Sequence, residues 1–339
     1  MPLNIALFLV GLVLAGMVLK DVFDTVVVPG GSRTSLRVAH RLVVVSLPVW
    51  KRVRGRKRGL STAFAPFVLV SSFIVWMALL AFAFGLMAFS QRADFQPHLR
   101  TLGDAVYITG SSLVTVGLSQ SNPTSVGRWV VLGAGFCGLA VMTMAVTYLL
   151  EVQSSIARRD MGIIKLNTSA GDPPSALTLL ERFAALRNWQ ALRTVLEECR
   201  DWCATVRQSH SSHPSLIYFQ SVGTGAGWPA ALGAVLDLGL IAEHLIDQGD
   251  LYGPATLLRD EGTRMARELA LTINLKPVPA STSTVEFEQL AQRLAGSGYP
   301  MRPNPDLEAM AQQRSEHMSC VNALAAHLGK PTTVLLRQS

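Results

Sequence analysis

The tripeptide Thr115-Val116-Gly117 has the composition needed to present several oxygen atoms to one point. Gly117 permits backbone angles that other residues resist, so the carbonyl groups of these three residues can point at one axis. Thr115 adds a hydroxyl oxygen at one end of the set. The chemistry that such a set performs is coordination of a cation by oxygen.

The segment that must position these oxygens, Asp104 to Pro123, lies between two long apolar runs. Its first part, Asp104 to Val114, predicts a helix of only about 15 Å, roughly half the hydrocarbon thickness of a bilayer. A segment of this length enters a membrane but cannot cross it, so its non-helical backbone must line a hydrated cavity enclosed by protein. The C-terminal end of the short helix then directs partial negative charge toward a cation.

The composition divides the chain into a membrane part and a soluble part. Hydrophobic residues make up 49% of the chain and charged residues only 16%, and the apolar surplus lies before residue 151. Three apolar runs are long enough to span, at 3–19, 61–90 and 127–150. The first run also resembles a signal peptide, but it lacks a preceding basic residue and a cleavage site, so a retained helix is predicted.

Charge predicts the orientation of these spans. Between Lys20 and Leu60 there are ten Lys or Arg residues against two acidic ones, which predicts a cytoplasmic loop, an N-terminus outside and a cytoplasmic tail in a multi-pass protein of the cell (inner) membrane. The net charge of +7 is therefore assigned to topology rather than to nucleic acid. Apolar residues between Leu36 and Leu47 are compatible with a helix along the inner leaflet or with a plain tether.

Taken together, these features predict an all-α membrane protein with three transmembrane helices, one re-entrant helix and a helical cytoplasmic domain. The predicted divisions are an N-terminal transmembrane helix, a basic segment, a pore module and the cytoplasmic domain. Their bounds are 1–28, 29–60, 61–152 and 153–339.

This arrangement resembles the pore module of the potassium channel superfamily, whose filter reads Thr-Val-Gly-Tyr-Gly-Asp. The matching residues here are Thr115, Val116, Gly117, Leu118, Ser119 and Gln120, followed by a family-like Pro123 and Gly127-Arg128. The resemblance implies that residues 115–119 bind the permeant ion, potassium or another monovalent cation, with no cofactor. One chain supplies one loop, so a ring requires several chains, and the resemblance implies a homotetramer in the lipid bilayer.

Three positions depart from the family pattern, and at one of them Gln120 replaces the acidic residue of the outer mouth. Leu118 replaces a tyrosine that helps to hold the filter diameter, and Ser119 replaces a glycine, where a retained left-handed conformation costs about 1 kcal/mol or more. A non-selective or sodium-passing channel is therefore one alternative. A non-conducting receptor or scaffold is another. Gly138 is a candidate gating hinge by its position, although inner helices also use glycine for close packing.

The tail reads as a helical domain with a loop between Lys276 and Thr284, and Ser175 is a predicted helix cap. The predicted helices cover the apolar-periodic stretches from Leu177 and from Trp189, and residues 227–245, 254–271, 284–295 and 305–328. The spacing of Cys199, Cys203, His210 and His213 fits no recognised zinc pattern, so buried thiols and surface histidines are expected. No catalytic motif is present, which predicts a protein that is not an enzyme. The expected partner of this domain is a ligand or protein that the sequence does not identify.

Overall fold

The structure is a computed structural model that describes residues 2–27, 38–53, 58–119, 121–220, 223–278, 280 and 283–336. The chain divides into two compact units, Met1–Val152 and Gln153–Ser339. The described residues are predominantly helical in both units. The predicted fold class, an all-α membrane protein with a helical C-terminal domain, is confirmed.

The first unit contains the candidate spans. Its helices are α1 (Pro2–Val26), α2 (Val38–Val53), α3 (Arg58–Ser90), α4 (Leu102–Leu113) and the first part of α5 (Ser125–Ala170), and the strands β1 (Phe95–Gln96) and β2 (Asn122–Pro123) pair antiparallel. Helices α1 and α5 and the segment Phe64–Ser90 of α3 are long and apolar enough to cross a membrane. Of the two alternatives for the residues between Leu36 and Leu47, the structure has a helix, α2, from Val38 onward, and Leu36 lies outside the described residues.

A buried carboxylate connects the first three helices. Asp21 of α1 is fully buried and accepts hydrogen bonds from the indole Nε1 of Trp76 in α3 (2.8 Å) and from the backbone N–H of Val38 (3.1 Å). Val38 is the first residue of α2, so the carboxylate also caps that helix. A buried acidic group needs such donors, because an unpaired one is expensive in an apolar core. The contact fixes where α2 begins relative to α1 and α3.

Helix α5 is longer than the predicted span. It continues past Leu150 and ends at Ala170, just before the helix-breaking sequence Gly171-Asp172-Pro173-Pro174. Gly171 then takes φ +81°, the left-handed conformation that glycine adopts without a Cβ penalty. The unit boundary lies within this helix.

The second unit is built around one buried helix. It contains α6 (Ala176–Leu186), α7 (Trp189–Ser212), α8 (Trp228–His244), α9 (Gly249–Thr272), α10 (Thr284–Gly296) and α11 (Leu307–Leu328). Every residue of α8 from Trp228 to Glu243 is buried, as expected for a helix that is apolar on all sides. Its buried Asp237 is paired with Arg314 of α11 at 2.7 Å.

Two details of the tail differ from the sequence-based expectations. Helix α9 begins five residues before Pro254, so this proline lies inside the helix rather than at its start. Proline is tolerated best in the first turn of a helix, where its missing N–H has no intrahelical partner to lose. Ser175 occupies the N-cap position of α6, but its side chain makes no capping hydrogen bond.

Candidate functional site

Helix α4, which carries the loop, begins with a complete capping box. The hydroxyl of Thr101 accepts a hydrogen bond from the N–H of Asp104 (3.1 Å), and the Asp104 carboxylate accepts one from the N–H of Thr101 (2.9 Å). The helix has 12 residues, so its length is about 18 Å. The predicted short helix is thus present, and it begins two residues before the predicted Asp104.

Polar side chains of α4 attach it to its neighbours. Thr109 Oγ1 is buried and donates to the carbonyls of Ala105 (2.9 Å) and Ala81 in α3 (3.2 Å), which share the one hydroxyl hydrogen. Ser112 Oγ donates to the carbonyl of Val131 in α5 at 2.8 Å. The end of α4 is therefore held between α3 and α5 by hydrogen bonds that reach backbone atoms on both sides.

Gly138 lies where α5 passes closest to the end of α4. A Cβ atom at this position would lie 1.8 Å from the carbonyl oxygen of Leu113, the last residue of α4. No side chain larger than hydrogen fits there while both backbones stay in place. Of the two interpretations of Gly138, hinge and close packing, this geometry favours packing.

The loop after α4 turns its N–H groups back toward the helix. Thr115 N–H donates to Ser112 O (2.9 Å), and the N–H groups of Val116 and Gly117 both donate to Ser111 O, at 2.8 and 3.1 Å. In a trans peptide the C=O and N–H of one unit point in opposite directions. The peptide carbonyls that belong to these N–H groups are those of Val114, Thr115 and Val116, so these oxygens point away from α4.

Backbone conformation in the loop differs from the expectation at one residue. Positive φ occurs at Thr115 (+62°) and Gly117 (+70°), with Val116 between them outside this region. Ser119, where a retained left-handed conformation would be strained, does not have positive φ, and the strained residue is Thr115 instead. The hydrogen bonds to Ser111 O explain this, because they curl the chain immediately after α4.

The outer part of the loop is held differently from residues 115–117. Ser111 Oγ shares its one hydrogen between the carbonyls of Leu118 (2.7 Å) and Ile108 (2.9 Å), so the Leu118 oxygen faces α4 and does not join those of Thr115 and Val116. Ser119 Oγ accepts from the Ser121 N–H at 3.1 Å. Gln120 lies outside the described residues.

A contact that the sequence did not predict connects the loop exit to the segment after α3. The carbonyl of Asp94 accepts from the N–H (2.6 Å) and hydroxyl (2.8 Å) of Thr124, and its carboxylate accepts from the N–H of Val126 (3.1 Å). Phe95 of β1 is fully buried beside Gly127. These contacts fix the start of α5, and no local motif at Asp94 signals them.

The cysteine and histidine cluster of the tail does not form a metal centre among the residues that the structure describes. Burial raises the pKa of the Cys199 thiol to about 12, with a contribution from Glu198, so the thiol stays neutral. Burial and the nearby Arg159 lower the pKa of His210 to about 3. The thiols are buried as expected, but His210 and His213 are buried too, so the expected surface histidines are wrong.

Comparison with known proteins finds a family model that matches the region around the loop. Residues 68–154, less than half of the chain, match the family model described as an ion channel. The matched range begins in α3, includes α4 and the loop, and ends in α5. Neither the curated proteins nor the solved structures contain a match to the chain. The matched region supports an ion channel, and proteins of the channel family assemble as oligomers within a lipid bilayer.

Proposed function

We propose that the protein is a homotetrameric channel for monovalent cations that conducts potassium through the loop at Thr115–Gly117. The ion is the permeant species and no cofactor is involved. The N-terminus lies outside, the tail is cytoplasmic in the inner membrane, and the tail assembles or gates the pore. The filter residues are those of the loop, with the Thr115 and Val116 carbonyls as the principal ligands.

The observation that carries this proposal is the direction of the loop carbonyls. The N–H groups of Val116 and Gly117 both donate to Ser111 O, which directs the Thr115 and Val116 carbonyls away from α4. Within the described part of the chain no group donates to these two carbonyls, so they can take another ligand. Val116 and Leu118 are 58% and 57% exposed in the single chain, so the loop has room for symmetry-related copies. Carbonyl rings of this kind replace the hydration shell of an ion.

The surfaces of α5 support assembly in a membrane. Trp129, Phe136 and Leu139 are more than half exposed in the isolated chain. An apolar surface of this extent is covered either by lipid or by other subunits. One loop per chain cannot surround an ion, so part of this surface is assigned to neighbouring copies.

The experiment is a potassium flux assay in liposomes that contain the full chain, without valinomycin. Gly117→Asp places a side chain where φ is +70°, which L residues rarely adopt, and adds a charge beside the ligand carbonyls. The matched control is Gly249→Asp, at the first residue of α9, where nothing lies within 4 Å of a Cβ and the helix N-terminus favours an acid.

We expect flux in the native chain and the control, and loss of flux in Gly117→Asp. Flux that survives Gly117→Asp would remove the loop from the conduction path. A native chain that assembles in liposomes but passes no ion would favour the receptor or scaffold alternative.

A sodium-passing or non-selective channel is the second candidate. The observation that favours it is the position of the Leu118 carbonyl. This oxygen accepts a hydrogen bond from Ser111 Oγ, so it does not coordinate the ion together with the carbonyls of Thr115 and Val116. Fewer carbonyl ligands discriminate less between ions of different size. Reversal potentials in mixed potassium and sodium solutions distinguish the two candidates.

A further inference from the structure

The second unit contains an open-sided cavity of about 440 Å³ between α5 and α7. This volume falls within the range of small-molecule sites, roughly 300 to 1,000 Å³. Helices α6 and α8 form its floor through Leu179, Ala231 and Val235, all of which are buried. All the residues that line the cavity belong to the second unit, and the proposed conduction uses none of them.

The interior of the cavity is apolar and one end is closed by an indole. Trp202 of α7 donates from Nε1 to the carbonyl of Arg159 in α5 at 2.9 Å. It reaches α5 because residue 162 is glycine: a Cβ there would lie 2.1 Å from Trp202 Cδ1. The Cys199 thiol at the floor stays neutral because burial raises its pKa to about 12. A ligand would therefore place an apolar body against this floor.

Charged side chains of opposite sign line the two walls. Arg158 and Lys165 lie on the α5 wall, seven residues or about two helical turns apart, and Glu198 and Asp201 lie on the α7 wall. Lys165 Nζ and Glu198 Oε2 approach to 3.5 Å across the groove. Both side chains are more than half exposed, so this pair is weak and a ligand can replace it.

We propose that this cavity binds a small zwitterion with an apolar body, such as a hydrophobic amino acid derivative or short peptide. The carboxylate faces Arg158 and Lys165, the ammonium group faces Glu198 and Asp201, and the body lies on the apolar floor. The ligand needs both charges because an anion would be repelled by the acidic α7 wall and a cation by the basic α5 wall.

The test measures binding of the dipeptide leucyl-phenylalanine to the full chain in lipid nanodiscs by isothermal titration calorimetry. We expect saturable binding with one site per chain. The N-acetylated, C-amidated dipeptide has the same side chains without the charges, and we expect it to bind at least tenfold more weakly. Absence of saturable binding by the zwitterion overturns the proposal, as does equal binding of the capped form.

Two variants connect the binding to this cavity. Val195→Trp fills the groove from α7, whereas Thr194→Trp adds the same ring at the adjacent exposed position outside the lining. We expect the first to abolish binding and the second to leave it unchanged. If Val195→Trp does not fold, Arg158→Gln at an exposed wall position is expected to weaken binding about tenfold.

The alternative occupant of the groove is a second copy of the chain. If the native chain does not bind the dipeptide and Val195→Trp changes the mass of the assembly in light scattering, the groove is a contact between copies and the ligand assignment is wrong. Equal affinities of Val195→Trp, Thr194→Trp and Arg158→Gln would also overturn it.

Discussion

Replacement of Gly138 by alanine tests whether the loop depends on the close approach of α5 to α4. The added Cβ would lie 1.8 Å from Leu113 O, 2.6 Å from Leu113 C and 2.8 Å from Leu113 Cα. Carbon and carbonyl oxygen ordinarily approach no closer than about 3.3 Å. Because all three atoms belong to the backbone, no rotamer change relieves the contact, and α5 must move away by about 1.5 Å.

This displacement has a structural and a functional consequence. Overpacking of a tight contact costs about 1–3 kcal/mol, and here it separates α5 from the helix that carries the loop. The Ser112 to Val131 hydrogen bond crosses the same interface at 2.8 Å and would lengthen with it. We therefore expect Gly138→Ala to lower the thermal stability of the assembled protein and to reduce ion flux together.

Gly133→Ala provides the matched control on the same helix. Its Cβ would meet nothing closer than Phe84 Cε1 at 3.6 Å, an ordinary contact. Alanine is also the better helix former, by up to about 1 kcal/mol. Apparent melting temperature by fluorescence-detected size exclusion, and liposome flux, are measured for both variants beside the native chain.

The two interpretations of Gly138 give different results in this pair. If Gly138→Ala has the same apparent melting temperature and the same flux as Gly133→Ala, the close approach is not essential and the packing argument is refuted. If Gly138→Ala has the melting temperature of Gly133→Ala but loses flux, the glycine acts as a hinge, and packing is again the wrong explanation.

Individual hydrogen bonds and one buried histidine give further expected outcomes. Ser111→Ala removes the donor to Leu118 O, so we expect a loss of about 0.5–1.5 kcal/mol and a changed reversal potential; an unchanged potential would contradict the assigned restraint. Asp21→Ala leaves the Trp76 N–H without its acceptor and should cost about 1–3 kcal/mol in a detergent melt, whereas Asp21→Asn keeps an acceptor and should cost less. Burial and a neighbouring guanidinium lower the pKa of His210 to about 3, so only the unfolded state gains this proton as pH falls from about 6.5 to about 3. The stability contributed by the neutral form is lost as pH falls through that range. In His210→Gln the melting temperature should therefore depend less on pH than in the native chain, and an equal dependence in both would contradict this assignment.

The spans and the short helix could be predicted because each leaves a local signal in the chain. An apolar run of sufficient length predicts a span, and Thr101 and Asp104 bracket the start of α4 in capping-box spacing. Gly171, Pro173 and Pro174 also mark where α5 ends, although the apolar run alone predicted a span that stops at Leu150. Such signals depend on neighbours within one or two helical turns, so a single sequence is sufficient to read them.

The contacts that position the loop and the first three helices join residues far apart in sequence, and local patterns do not predict such contacts. Asp94 caps a segment that begins at Thr124, 30 residues later, and Asp21 reaches Trp76 across 55 residues. A lone carboxylate has the same local pattern whether it is solvated or buried. The sequence named Gly138 as a candidate but could not distinguish packing from a hinge, because both uses place glycine in the same helix.

The hydrogen bond at Leu118 changes what the family resemblance implies for the stability of the filter. By resemblance, the loss of a tyrosine at this position removes a hydroxyl that holds the filter. In this chain the hydroxyl of Ser111, in the last turn of α4, donates to the Leu118 carbonyl and shares its hydrogen with the Ile108 carbonyl. The Ser111 carbonyl accepts from the N–H groups of Val116 and Gly117. One serine therefore restrains both ends of residues 116–118. Since this restraint comes from within the chain, loss of the tyrosine by itself does not imply a collapsed pore, and selectivity should depend more on residue 111 than on the leucine.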